Sequence, residues 1–393
     1  MRALSLATVC AALAGFVVIY LASWTLPTEG FAAFQAYWGL FFAATGFLDG
    51  IMQETTRGVS TARETGRVGD GRPWRLGAWI GGIVLVVALV AGALWLPLLL
   101  RGEAPVGMAV GFFAFGLFTY AFQAVLAGVL SGLGRWNRYA GLVALDSGVR
   151  LLLALLAWQQ GWGMRAFLVI TVVGALSWLV MLWDVPRGVL IDVTRRTFTR
   201  RVASAMLATG ASATLITGFP VFVQSTFEPG AGSLVTVAGI INAVTLTRAP
   251  ILVPLQRFQS ALIVRFVEQD RTVLGPVAAV LGLGMVGAGA AWLLGPRILA
   301  SFFQPDLFVP GVLLAVLTFA SACTGALMVT GAATLASEQH RAYVAGWVVA
   351  SVVAFGVLWL APLALEVAVC VALVAGPACG AVVHTAALRS LKR

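Results

Sequence analysis

Apolar runs of about 20 residues, separated by short charged loops, follow one another along nearly the whole of this 393-residue chain. A helix needs about 20 apolar residues to cross the hydrocarbon core of a bilayer. Lipid offers no partner to an exposed peptide group, so segments in that core are restricted to helices or closed barrels. Runs this long are helical. About twelve spans are expected, near 3–24, 31–53, 76–100, 107–133, 139–158, 166–183, 202–226, 233–256, 273–294, 309–332, 342–362 and 366–388. The longest hydrophilic stretches, 54–75 and 184–201, are too short to fold alone. Composition points the same way: 60% of residues are hydrophobic and 10% charged, against about 25% charged in soluble proteins. The expected fold is an all-α polytopic membrane protein. The first apolar run is longer than the roughly 7–15 residues of a signal-peptide core, so it reads as a retained span.

The net charge of +10 could suggest a nucleic-acid partner, but its distribution argues against one. Twenty of the 25 basic residues fall at the two termini or in loops after even-numbered spans. On the opposite side lie Arg101, Arg165 and Arg297, and two more, Arg150 and Arg248, fall within spans. Short-loop asymmetry of this kind places both termini in the cytoplasm and the protein in the cytoplasmic membrane. No nucleic acid is expected, and membrane lipids are the surrounding partner.

Catalytic and cofactor motifs are few. Cys10, Cys323, Cys370 and Cys379 all lie in apolar runs without metal-ligand spacing, and His340 and His384 are far apart. No Walker A sequence is present, and Gly282-Leu283-Gly284-Met285-Val286-Gly287 matches GxGxxG inside an apolar run rather than after a strand. That motif reads as small residues for close helix packing. Neither a metal nor a cofactor is expected.

Inside the spans, charge is expensive, costing roughly 2.5–3.5 kcal/mol per ionised group near the middle. Asp146 and Arg150 stand four residues apart on one helical face, acid first, in the favourable order. Either they pack their helix against a neighbour or they line a wet cavity. Asp49 and Arg248 sit near the cytoplasmic ends of spans two and eight with opposite signs. They either snorkel separately to the interface or meet as a gate. Gln35, Gln123, Asn242 and Gln256 add uncharged polar groups within spans.

The chain also looks like its own repeat. Residues 25–50 and 226–250 each join an apolar span to a second one through a turn containing Pro, Glu and Gly. Gly134-Arg135-Trp136-Asn137-Arg138-Tyr139-Ala140 matches Gln339-His340-Arg341-Ala342-Tyr343-Val344 as a charged turn with Tyr opening the next span. Two six-helix lobes, 1–201 and 202–393, are expected around a central cavity, the architecture of a parallel-repeat transporter.

With those segments in hand, the chain resembles the polysaccharide flippases of the multidrug/oligosaccharidyl-lipid/polysaccharide exporter superfamily, the Wzx-type exporters of O-antigen and teichoic acid. Leu26-Pro27-Thr28-Glu29-Gly30-Phe31 is similar to that family's turn between spans one and two, although the glycine after Leu26 is missing. Leu130-Ser131-Gly132-Leu133-Gly134-Arg135 through Asp146 and Arg150 is similar to its span four–five hairpin. The resemblance implies alternating access, a lipid-linked anionic substrate, and enzymes of cell-envelope glycan assembly as partners. It also implies that spans two and eight face each other, which makes Asp49 and Arg248 gate candidates.

The expected function is therefore flipping a polyprenyl-diphosphate oligosaccharide to the outer leaflet, with no enzymatic step. Arg150 and Arg248 would supply cations for the head group, Asp146, Gln35, Gln123 and Asn242 are further candidates for the cavity lining, and Trp24, Tyr37 and Trp38 offer aromatic faces for sugars. A proton- or sodium-coupled multidrug or metabolite antiporter is the alternative, with Asp49 or Asp146 as the coupling carboxylate. Pairing with arginine would keep those acids ionised and poorly suited to carrying protons. A membrane glycosyltransferase or polymerase has less support, because the outward loops offer only scattered acids, namely Glu29, Glu103, Glu228, Asp306 and Glu366.

Overall fold

The computed structural model describes residues 2–182, 189–228, 234–268, 273–337 and 339–390, without the side chains of 2, 256–265, 267 and 268. All regular structure among these residues is helical. The helices are α1 (Arg2–Thr25), α2 (Thr28–Thr65), α3 (Pro73–Leu100), α4 (Val106–Gly132), α5 (Trp136–Gln160), α6 (Met164–Val173) and α7 (Ser177–Met181), then α8 (Arg195–Ile216) and α9 (Phe219–Thr226). They continue with α10 (Val237–Glu268), α11 (Leu274–Phe302), α12 (Gly311–Ala336), α13 (His340–Leu360) and α14 (Leu365–Ser390). Eleven helices or continuous helical segments are long and apolar enough to cross a membrane, and α8 with α9 makes a twelfth span bent by 50°. The bend has a local cause. Pro220, in the first turn of α9, has no N–H to continue the ladder, and Thr217 and Gly218 both turn back to the Ala213 carbonyl at 2.8 and 3.2 Å. The protein is thus a multi-pass membrane protein of about twelve helices, as its sequence leads one to expect.

Contacts divide the chain into two compact units, Met1–Gly218 and Phe219–Arg393, so α8 belongs with the first. In that unit α2 is the organiser, packed along both α4 and α8. Small residues bring the backbones together. A Cβ on Gly128 of α4 would stand 2.7 Å from the Met52 carbonyl of α2, and one on Gly132 would stand 2.8 Å from the Thr56 carbonyl. Lipid gives no hydrophobic reward for helix association, so such close contacts carry it. Phe31, Phe34, Tyr37 and Phe41, nearer the start of α2, are essentially inaccessible.

At 38 residues α2 is about 57 Å long at 1.5 Å per residue, far more than a span requires. The sequence places residues 54–75 in a loop, yet the helix continues to Thr65 and stops at Gly66, whose φ of +67° suits glycine. Tertiary contact supports the extension. Residues 189–194 lie across its polar end: Ile191 is fully buried, Gly69 N–H donates to the Ile191 carbonyl at 2.6 Å, and Asp192 N–H donates to the Gly58 carbonyl at 3.3 Å. Arg57 binds both Glu54, one turn before it, and Asp192, with closest N–O approaches of 2.6 and 3.0 Å. Asp70 Oδ1 accepts from Arg195 N–H at 2.6 Å and so caps α8.

The second unit is built around α12, against which α10, α11 and α14 pack, while α13 lies on α14. The GxGxxG stretch serves this packing. Gly284 abuts Ala322 of α12, and a Cβ on Gly287 would meet Thr318 at 3.3 Å. The repeat is visible inside each unit: α2 and α3 pack on α4 as α10 and α11 pack on α12. Tyr139 N–H donates to the Arg135 carbonyl, and Tyr343 N–H donates to the Gln339 carbonyl, both at 3.1 Å. The Pro229–Gly230 part of the second turn lies outside the described residues.

Candidate functional site

The expensive pair on α5 is joined. Arg150 Nη1 binds Asp146 Oδ2 at 2.5 Å, and Gln123 of α4 donates through Nε2 to Asp146 Oδ1 at 3.2 Å. Arg150 Nε donates to the Thr171 carbonyl of α6 at 3.2 Å. That carbonyl lies three residues before the point where α6 passes into a 3-10 turn over Gly174–Leu176, and its second lone pair can take a side-chain donor. The guanidinium also lies over the Phe42 ring of α2, 5.1 Å from its centroid. Gly174 completes the nest, since a Cβ there would fall on Asp146 Oδ1 and the Arg150 guanidinium. Helices α2, α4, α5 and α6 therefore converge on one ion pair. Arg150 is 5% exposed and engaged on three sides, leaving the Asp146 side chain as the more open member.

In the second unit the same register reads differently. Asp146 and Arg150 lie seven and eleven residues after Tyr139; Ala350 and Ala354 lie seven and eleven after Tyr343. Those alanines receive Gly376 of α14, whose Cβ would stand 2.5 Å from the Ala350 carbonyl and 2.8 Å from Ala354 Cβ. One half closes this helix interface with charge, the other with contact.

Asp49, near the end of the apolar part of α2, accepts a hydrogen bond from the Tyr120 hydroxyl of α4 at 2.7 Å. Sequence reasoning missed Tyr120, since nothing in spacing links α2 to α4. Arg248 of α10 is 7% exposed, with its guanidinium carbon 5.1 Å from the centre of the Phe219 ring of α9. Asp49 belongs to the first unit and Arg248 to the second.

The amides divide. Gln35 of α2 is 4% exposed and Asn242 of α10 is fully buried, and both ends of each amide lack a hydrogen-bond partner among the described residues. Gln123 uses its nitrogen on Asp146 and leaves Oε1 in the same condition. Buried amides normally have partners, and Gln35 and Asn242 depart from that rule. The Gln256 side chain lies outside the described residues. Tyr37 is a correction to the expected aromatic surface: it is fully buried, with its hydroxyl donating to the Ala109 carbonyl at 3.2 Å and its ring edge-on to Phe113. A ring so enclosed by α4 cannot stack on a sugar. Trp38 lies tilted against both Phe34 and Phe42, and Trp24 is 46% exposed.

No family model matches the chain. It is 40% identical over 395 residues to the Uncharacterized protein Rv1510 of Mycobacterium tuberculosis, covering 97% of this chain and 90% of that one. To the Uncharacterized protein Rv3630 of the same organism it is 39% identical over 390 residues, covering 96% and 89%. Its fold is similar to an inward-facing multidrug resistance MATE family transporter of the MOP superfamily, with a TM-score of 0.73 at 18% identity over 97% of this chain and 95% of the other. A MOP superfamily transporter from Pyrococcus furiosus, described for the reverse polarity of its binding pocket, matches with a TM-score of 0.68 at 17% identity over 100% and 96%. Such identities establish the fold alone.

Proposed function

This chain belongs to the family of the mycobacterial proteins Rv1510 and Rv3630, and from that premise and its fold we propose that it is an alternating-access transporter of a lipid-linked anionic substrate. The substrate class is a polyprenyl diphosphate carrying an oligosaccharide, moved from the cytoplasmic to the outer leaflet of the cytoplasmic membrane, with both termini cytoplasmic. Enzymes that build or polymerise envelope glycans would supply and consume it.

The observation that carries this reading is Arg248, a guanidinium 7% exposed within an apolar span. Ionisable groups held there at a cost of several kcal/mol serve substrate or ion pathways as a rule, and guanidinium suits phosphate through its planar fork. Asn242, six residues earlier on α10, would add neutral donors for sugar hydroxyls. Asp146 and Asp49 each already accept hydrogen bonds, from Arg150 and Gln123 and from Tyr120. This makes them less suited than a solitary carboxylate to carry a cationic drug. The multidrug antiporter remains the second reading, because a MATE structure resembles this chain closely in fold.

Both readings are separated by one assay. The purified protein is placed in liposomes with a fluorescent polyprenyl-diphosphate sugar, and movement between leaflets is followed by an impermeant quencher. Faster equilibration than in protein-free liposomes, lost in Arg248→Gln, is expected. No acceleration of the lipid, together with proton-driven uptake of a cationic dye, would transfer the protein to the antiporter class.

A further inference from the structure

The second unit buries a titratable side chain for which the transport reading has no use. Ala372, Gly376, Gly380 and His384 recur every four residues along α14, facing Gly346, Ala350 and Ala354 of α13. The glycines set the spacing: a Cβ on Gly380 would stand 2.5 Å from the Gly346 carbonyl. His384 continues this stripe and is fully buried. Gly346 leaves the imidazole its room, since a Cβ there would fall on the ring. His384 Nε2 thereby reaches the Tyr343 carbonyl at 3.1 Å, and the ring lies parallel to that of Tyr343, 6.1 Å between centres. On the other edge Nδ1 is 3.0 Å from Thr330 Oγ1 of α12, and the same hydroxyl is 3.0 Å from the Leu327 carbonyl.

These partners fix the bookkeeping of hydrogens. A carbonyl only accepts, so Nε2 carries a proton whenever its bond to Tyr343 exists. Thr330 has one hydroxyl proton. In the neutral ring that proton is donated to Nδ1. When Nδ1 takes up a proton from water, its new N–H donates to Thr330 Oγ1, and the hydroxyl turns to the Leu327 carbonyl. Both charge states leave every ring nitrogen bonded, and they differ only by rotation of one hydroxyl. The titratable groups of the surrounding helices are Cys323 on α12, His340, Arg341 and Tyr343 on α13, and Glu366, Cys370, Cys379 and Arg389 on α14; among the described residues Tyr343 is the one stacked on the ring.

We propose that His384 is a proton-binding site within the membrane-spanning part of the second unit, loaded at Nδ1 and accommodated by the Thr330 hydroxyl without movement of α12, α13 or α14. An ionisable side chain enclosed by spans is a functional position by default, and histidine is a recurrent proton carrier there. The site stands whatever cargo is transported.

The test reads the proton directly. Full-length protein carrying His340→Gln, a change at an exposed position, is labelled with 15N-imidazole histidine and placed in lipid nanodiscs, so that His384 alone reports. Between about pH 8 and 4, the singly protonated Nε2–H form should convert to the doubly protonated ring while helical content stays constant. Thr330→Val, which removes the hydroxyl acceptor, should raise the proton concentration needed by about tenfold or more, one pH unit, and Thr330→Ser should titrate like the parent. A single neutral tautomer across the whole range would overturn the proposal, as would Thr330→Val titrating unchanged. Since nothing transported enters this experiment, its failure leaves the transport reading intact, and failure of the liposome assay leaves this site intact.

Discussion

The hydroxyl of Tyr120 donates to Asp49 Oδ1 at 2.7 Å, fastening α4 to α2 near the end of its apolar part. A buried hydrogen bond to a charged group is worth about 1.5–3 kcal/mol. Tyr120→Phe should therefore lower stability by about 1–3 kcal/mol, measured by thermal unfolding in detergent. Asp49→Asn should cost less, because the amide oxygen still accepts the phenol proton. Equal losses would take this bond out of the account.

Asp146 and Arg150 should depend on each other. Removing one partner of a buried pair costs about 3–5 kcal/mol, whereas removing both is often far milder. Arg150→Ala is expected to lose more stability than Asp146→Ala with Arg150→Ala together. Strictly additive losses in a double-mutant cycle would show that the pair does not couple.

Gly174 should tolerate no side chain while the pair is present. Gly174→Ala is expected to cost about 1–3 kcal/mol through overpacking, and much less in the Asp146→Ala, Arg150→Ala background. Gly82, with nothing within 4 Å of a Cβ, is the control: Gly82→Ala in mid-helix should be neutral or stabilising by about 0.5–1 kcal/mol. Similar losses at both glycines would point to backbone effects instead.

Ile191 holds residues 189–194 against the extended end of α2. Truncating a fully buried isoleucine costs about 2–5 kcal/mol, and Ile191→Ala should show it locally, as faster hydrogen exchange at Gly58, Gly69 and Gly71. Arg57 is 37% exposed, so Arg57→Ala should matter less, about 0–1 kcal/mol. Exchange unchanged at those glycines would mean the contact does not retain the segment. Single cysteines in 189–194 and in 101–105 should label from opposite sides of the membrane; labelling from one side would overturn the charge-based topology.

Much of this was legible in the residues, and the reasons are physical. Spans announce themselves because lipid tolerates only long apolar helices. Asp146 and Arg150 declare their pairing because four residues is one helical turn. The GxGxxG stretch in α11 could be assigned to packing because no strand precedes it. What lay beyond reach was settled by tertiary contact. Gln123, Thr171, Phe42 and Gly174 come from three other spans, and no spacing predicts that they gather on one ion pair. Tyr37 reads as an interfacial aromatic until α4 encloses it. The end of α2 is polar enough to pass for a loop, and it is helical because residues 189–194 lie against it.

A chain made of two like halves faces a hazard during synthesis, since a helix from one half offers a surface related to that of its counterpart in the other. The contrast at the fifth and eleventh spans reduces that hazard. The segment 164–181 presents Gly174 and the Thr171 carbonyl to a guanidinium; α14 presents Gly376 and Gly380 to Gly346, Ala350 and Ala354. Exchanging them would leave Arg150 buried without its acceptor and drive an intact glycine stripe against charge. Each half thus carries its own key, and misassembly between the halves, a characteristic failure of repeated proteins, is penalised at the moment the late spans dock.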